Sequence, residues 1–224
     1  MVRIGNVTLN RSIVAVIGNR PAESAEQAKK LGADILELRI DLLKVNARAA
    51  LHDIRETGLP VIITNRMKQE GGAWGGSEEE RVSTLISLLP LADAVDIELC
   101  ARDRDMVVKK ARDTGKTVII STHDFEKTPA SNVMSEIISE SVTAGADIAK
   151  LAVMPNSLED VHRLLEVTLH ADATVCTLAM GEKGRYSRVV APLYGSVMTY
   201  GYVGKATAPG QLRVDELRYI LNVI

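Results

Sequence analysis

No stretch of this chain approaches the roughly 18 consecutive apolar residues that a membrane span requires. The opening residues, MVRIGN, carry no apolar signal core either. Neither membrane insertion nor secretion is therefore expected, and the cytoplasm is the expected location. An excess of one charge is also lacking: 27 Lys and Arg stand against 29 Asp and Glu, a net charge of -2. That balance leaves no basic footprint for nucleic acid. Only two cysteines are present, Cys100 and Cys176, with no CxxC pair and no histidine at ligand spacing. A disulfide scaffold and a zinc cluster are both excluded, and the two thiols read as reduced core residues. HExxH and GxGxxG are absent as well, so neither a catalytic metal nor a nicotinamide cofactor is expected.

What is present is a soluble composition, 46% apolar over 224 residues, enough for one sizeable core. Its clearest regularity is a junction: AKKLGADILEL, IRETGLPVIIT, ARDTGKTVIIS and SVTAGADIAKL each close a helical pattern on glycine and then begin a β-rich run. The glycines are Gly32, Gly58, Gly115 and Gly145, spaced by 26, 57 and 30 residues. The long interval holds LADAVDIEL, a strand without its glycine. A unit of about 28 residues divides the chain into about eight βα repeats and predicts a (β/α)8 TIM barrel forming a single domain over residues 1–224. The predicted strands are 12–18, 33–41, 60–66, 94–99, 117–124, 146–154, 173–181 and 197–203. VRIGNVTLN lies outside the repeat and reads as a short β-hairpin closing the barrel floor. An open doubly wound sheet is the competing fold, disfavoured by the regular short connections and the missing glycine-rich first turn.

The run ADIAKLAVMP places Lys150 in the middle of an apolar strand. Lysine is rarely buried there without a partner or a task. It either snorkels to solvent or serves as an amine nucleophile toward a carbonyl. Strand alternation puts Glu37, Arg39 and Asp41 on one face, with Leu36, Leu38 and Ile40 on the other. In a barrel the apolar face meets the helices, so the charged face points inward. The same test turns Thr64, Arg66, Asp96, Glu98, Ser121, His123 and Lys150 inward. For Asp41 and Asp96 a salt-bridge lattice is the better reading. Arg66, His123 and the segment after Lys150 lie toward the carboxyl ends of their strands, where barrel active sites form. His123 alone would be a core histidine; beside an inward lysine on the next strand it is a candidate proton carrier. His52, His162 and His170 fall in helical patterns and read as surface residues. Two inward arginines suit an anionic substrate.

ELRID at 37–41, the NR...EGG pattern at 65–72, HDFEKTP at 123–129, DIAKLAVMP at 147–155, MGEKGRYSRV at 180–189 and APGQ at 208–211 come in an order that resembles the type I 3-dehydroquinate dehydratases of the shikimate pathway. The resemblance spans essentially the whole chain. It implies a dehydratase acting on 3-dehydroquinate by syn elimination, with a Schiff-base lysine at Lys150, a general acid and base at His123, and an orienting carboxylate at Glu37. Arg39, Arg66, Arg188 and Gln211 match substrate-binding positions, and Thr207 stands where the family has serine. AWGG at 73–76 has no counterpart in the pattern. Residues 205–211 read as a lid over the barrel mouth. A homodimer is implied by the resemblance alone. Two other functions fit the barrel: a class I Schiff-base aldolase on a phosphorylated sugar, and a binding barrel without turnover.

Overall fold

The computed structural model describes residues 1–204, 206 and 208–224. The strands are β1 (Arg3–Ile4), β2 (Val7–Thr8), β3 (Ser12–Ile17), β4 (Ile35–Arg39), β5 (Val61–Thr64), β6 (Ala94–Glu98), β7 (Thr117–Asp124), β8 (Ile148–Val153), β9 (Val175–Ala179), β10 (Met198–Tyr202) and β11 (Leu212–Arg213). Helices α1 (Pro21–Lys30), α2 (Ala47–Arg55), α3 (Glu78–Leu88), α4 (Arg104–Asp113), α5 (Ser131–Thr143), α6 (Leu158–Leu169), α7 (Gly181–Gly184), α8 (Ser187–Val190) and α9 (Val214–Val223) lie between and after them. A parallel ladder runs from β10 through β3 to β9, with β11 added beside β10. The remaining seam closes through Val197 N–H to Val175 O at 2.9 Å and Thr177 N–H to Ser196 Oγ at 3.1 Å. The eight strands thus form the expected barrel.

Its layers follow from alternation. Outward Leu36, Leu38, Val61, Ile63, Val95 and Ile97 pack with Leu51 and Ile54 of α2 and Leu85 of α3. Inward Val14, Ile35, Ile62, Ala94, Ile119 and Ile148 make an apolar layer at the start of the strands. The β1–β2 hairpin seals it from below, since Ile4 and Leu9 are buried in that layer. With apolar residues filling the floor, the charged inward positions fall in the layers above, toward the carboxyl ends.

All four junction glycines have positive φ, from 66° at Gly115 to 101° at Gly145, the left-handed conformation that ends a helix most easily without a Cβ. Both serine caps form reciprocal boxes, Ser77 with Glu80 and Ser157 with Asp160. A second repeat is visible only in the assembled barrel. Asp34, Asp93 and Asp147 each accept from the backbone N–H of a neighbouring strand, Ile13, Val61 and Val118, at 2.8 to 2.9 Å. Together with Ser196 they stitch alternate seams of the lower rim.

The strands are shorter than alternation suggested; β5, for one, stops at Thr64, two residues before Arg66. The chain leaves β4 at Arg39 for a 3-10 turn over Ile40–Leu42, so Asp41 does not continue the inward row. Its carboxylate instead accepts from the backbone N–H groups of Arg66 and Ala73, pinning the loop after β5 to the top of β4. That contact is also what AWGG at 73–76 does on its first residue, while Trp74 Nε1 donates to Ser77 O and steadies the start of α3.

Candidate active site

Lys150, 5% exposed, sits at the middle of the barrel axis on β8. It does not snorkel. Its Nζ donates to Asp96 Oδ2 at 2.8 Å, lies 3.7 Å from Glu37 Oε1, and rests 4.2 Å from the centroid of the Tyr200 ring. The apolar surroundings read from the strand are therefore incomplete. Neighbouring strands supply two carboxylates and an aromatic face, because a buried cation needs compensation. Asp96 in turn takes Arg66 at 2.7 Å and the Ser121 hydroxyl at 2.7 Å. Burial works to raise the Asp96 pKa, but Arg66 and Lys150 outweigh it and hold the carboxyl far below its ordinary range.

His123 lies on β7, one inward position above Lys150: in the ladder Ser121 is level with Lys150, and His123 with Ala152. Its backbone N–H donates to Glu70 Oε2 at 3.0 Å, and its Nδ1 stands 2.8 Å from the same oxygen, where an ionised carboxylate takes Nδ1–H as a second donor. This fixes the tautomer and leaves Nε2 as the ring nitrogen with an available lone pair. Phe125 stacks nearby, with ring centroids 6.5 Å apart. Burial, then Arg66 and Lys150, hold the imidazole well below its ordinary 6.5, so it is neutral at physiological pH. Burial also pushes the Glu70 carboxyl up to about 7, against the pull of Arg66.

Glu70 reaches His123 because of the two glycines that follow it. Gly71 takes φ 77° to end the turn over Lys68–Glu70, and a Cβ there would stand 2.4 Å from the Phe125 ring. A Cβ on Gly72 would come within 1.9 Å of Arg66 O. EGG is thus the sequence of a loop folded tightly back on the barrel mouth, carrying its carboxylate to the next strand but one. On the far side of Glu70, Cys100 Sγ donates to Oε1 at 3.2 Å. The residue as a whole is exposed, with its sulfur turned in against Glu70, and it is not the core residue that its apolar neighbours suggested. Cys176 is buried as read.

Three arginines line the cavity, in different states. Arg39 is forked onto Asp41 at 2.9 and 2.7 Å. Arg66 is committed to Asp96, Glu98 and Ser121, and Glu98 is anchored behind it by buried Arg81 at 2.7 Å. Arg188 of α8, 2% exposed, has no carboxylate partner among the described residues. Three of its five N–H donors go to the carbonyls of Tyr200, Pro209 and Gly210, at 2.9 to 3.2 Å. Burial accordingly lowers its pKa to about 10. A cation held by backbone dipoles and lacking a counter-ion marks a place for an anion.

Of the residues singled out from sequence, Lys150, His123, Glu37, Arg39, Arg66, Arg188 and Gln211 all line this one cavity. Thr207 and Lys205 lie outside the described residues, and with them part of the segment 205–211 that the sequence predicts to be a lid. Gln211 is buried and accepts from Ala208 N–H at 3.1 Å. Glu37 does not meet the imidazole: Thr64 donates to it at 2.9 Å and it faces Lys150. The carboxylate against the imidazole is Glu70, which alternation could not place because it sits in a loop where no face is assigned, although EGG was in plain view. His52, His162 and His170 are exposed. No group of three or more His, Cys, Asp or Glu among the described residues is placed to hold a metal ion, and no helix there is long and apolar enough to cross a membrane.

Comparison with known proteins bears on the family and the fold. The profile of the family described as Type I 3-dehydroquinase matches residues 13–224. The chain is 51% identical to the 3-dehydroquinate dehydratase of Methanosarcina acetivorans and 47% identical to that of Methanococcoides burtonii, in each case across 100% of both chains. Among solved structures, the 3-dehydroquinate dehydratase of Geobacillus kaustophilus superposes with a TM-score of 0.92 at 27% identity, covering 99% of this chain and 95% of the other. The type I enzyme of Clostridium difficile gives 0.91 at 31% identity, covering 99% and 96%.

Proposed function

Since this chain belongs to the type I 3-dehydroquinase family, we propose that it removes water from 3-dehydroquinate to give 3-dehydroshikimate through an imine on Lys150. The observation that carries the reading is the pairing of groups in one cavity. The Lys150 amine and the available Nε2 of His123 face it from adjacent strands, and Arg188, without a carboxylate partner among the described residues, lines it as well.

In this mechanism Arg188 takes the substrate carboxylate in its planar fork. Lys150 Nζ, rid of its extra proton, attacks the C3 ketone, and loss of water leaves an iminium. That cation makes the C2 proton acidic by drawing electrons from the adjacent carbon. His123 Nε2 takes the proton, and the charge it gains is stabilised by Glu70 across the Nδ1–H bond. The C1 hydroxyl then leaves with the proton that His123 returns, so one group serves both steps on one face and the elimination is syn. Hydrolysis of the conjugated iminium frees the product and restores the amine. Asp96, Glu37 and the Tyr200 face surround the nitrogen whenever it is cationic, as ammonium or as iminium. Arg39, Arg66, Thr207 and Gln211 belong to the same proposal as substrate contacts. The aldolase and binding-barrel alternatives have no observation in their favour. Assembly as a homodimer is part of the proposal, and sedimentation velocity reads it directly.

Borohydride reduction in the presence of 3-dehydroquinate tests the central step. A mass adduct on the peptide containing Lys150 is expected. No adduct, or one on another lysine, overturns the reading.

A further inference from the structure

Cys100 has no role in the chemistry above, yet it touches the carboxylate that the acid–base group depends on. The two oxygens of Glu70 are divided between neighbours: Oε2 receives both donors of His123, and Oε1 receives the Cys100 thiol at 3.2 Å. Glu70 ends a three-residue turn rather than lying on a strand, so its side chain is aimed by what holds its two ends. His123 holds one. Cys100, on the turn after β6, holds the other.

We infer that Cys100 is a positioning residue of the acid–base pair: its S–H clamps Glu70 Oε1 so that Oε2 stays against the His123 ring, and it favours the ionised carboxylate that the proton transfer uses. The inference rests on the reading of His123 given above. Three features support it. Of the two acceptors within reach of Cys100 Sγ, Glu70 Oε1 stands at 3.2 Å and Met67 Sδ at 3.6 Å, so its one proton goes to the carboxylate. Burial and the adjacent Glu70 push its pKa up to about 12, so it stays a protonated donor instead of becoming a thiolate that would repel Glu70. The remaining charges around Glu70 leave that donation unduplicated. Arg66 attracts from the loop just past β5, and Glu98 and Asp96 repel from β6. Arg104, Asp105 and Glu140 line the outer cleft that Glu70 and Cys100 share, but none of them donates to Glu70.

The test compares the pH dependence of kcat/KM for the parent enzyme, Cys100→Ala and Cys100→Ser. Removing a donor from a carboxylate raises its pKa, so the acidic limb of Cys100→Ala is expected to move up by roughly half a unit to one unit. That is about a 3- to 10-fold loss of rate on the acidic side. Serine restores a donor and is expected to return the limb to the parent position. Borohydride trapping on Lys150 is expected to be equal in all three, because the amine step does not involve Glu70. Superimposable profiles for the parent and Cys100→Ala overturn the inference, and so does a serine variant shifted as far as the alanine one. A parent enzyme that gives no Lys150 adduct instead removes the functional reading on which the inference stands.

Discussion

Glutamine in place of Glu70 separates two effects of one buried carboxyl, because it keeps the shape and removes the charge. On stability, burial has raised the carboxyl from 4.5 to about 7, a difference worth about 3 kcal/mol between its protonation states. The raised value means that the folded state favours the protonated form. The relative stability this confers is fully present below the unfolded value of 4.5 and is lost as the pH rises through about 7. Glutamine is neutral throughout and loses nothing, so Glu70→Gln is expected to be more stable than the parent by about 2 to 3 kcal/mol near pH 8, the two converging near pH 4. On catalysis the sign reverses. Nδ1 lies 2.8 Å from Oε2; with about 4 Å between charge centres and an effective dielectric near 20, the carboxylate stabilises the imidazolium by about 4 kcal/mol. The amide dipole recovers part of this, leaving a loss of about 2 to 3 kcal/mol, roughly 100-fold in kcat. Denaturant melts across the pH range and turnover, followed by the absorbance of the conjugated product, read the two effects separately. A variant with near-normal kcat, or one less stable than the parent at alkaline pH, refutes the reasoning.

Arg188→Lys keeps the charge but loses the fork, and is expected to raise KM for 3-dehydroquinate about 10- to 100-fold with a smaller change in kcat; an unchanged KM removes Arg188 from the carboxylate site. Asp96→Asn leaves Lys150 and Arg66 buried with one anion fewer, and is expected to destabilise the fold by about 3 kcal/mol or more, seen as a lowered urea midpoint. Because the Asp96 pKa is depressed, its contribution is present above the ordinary value of 3.8 and lost as the pH falls, so the difference between the parent and Asp96→Asn should shrink in acid. Exhaustive chelation should leave turnover unchanged, and loss of activity restored by zinc or magnesium would contradict the imine chemistry proposed here.

Much of this protein was decided locally and could be read before any coordinates. Gly32, Gly58, Gly115 and Gly145 announce the βα period because a helix ends where the chain can adopt positive φ, a property of one residue and its neighbours. Alternation placed Glu37, Arg66, Asp96, His123 and Lys150 inside because a strand has a period of two wherever it lies. Those rules stop at the strand ends. Asp41 left the inward row when β4 gave way to a turn. Glu70 joined the site from a loop, 53 residues from His123 in sequence, and Cys100 reached it from 30 residues away on the other side. Arg188 was marked only by the family resemblance, as a match to a substrate-binding position, and its lack of an acidic partner among the described residues depends on the backbone carbonyls brought to it by β10 and the turn before β11. The inventory of the site was thus written in local periods and motifs. The pairing of each charge, and with it which carboxylate serves the lysine and which serves the histidine, was set only when closure of the barrel brought distant segments within hydrogen-bonding distance.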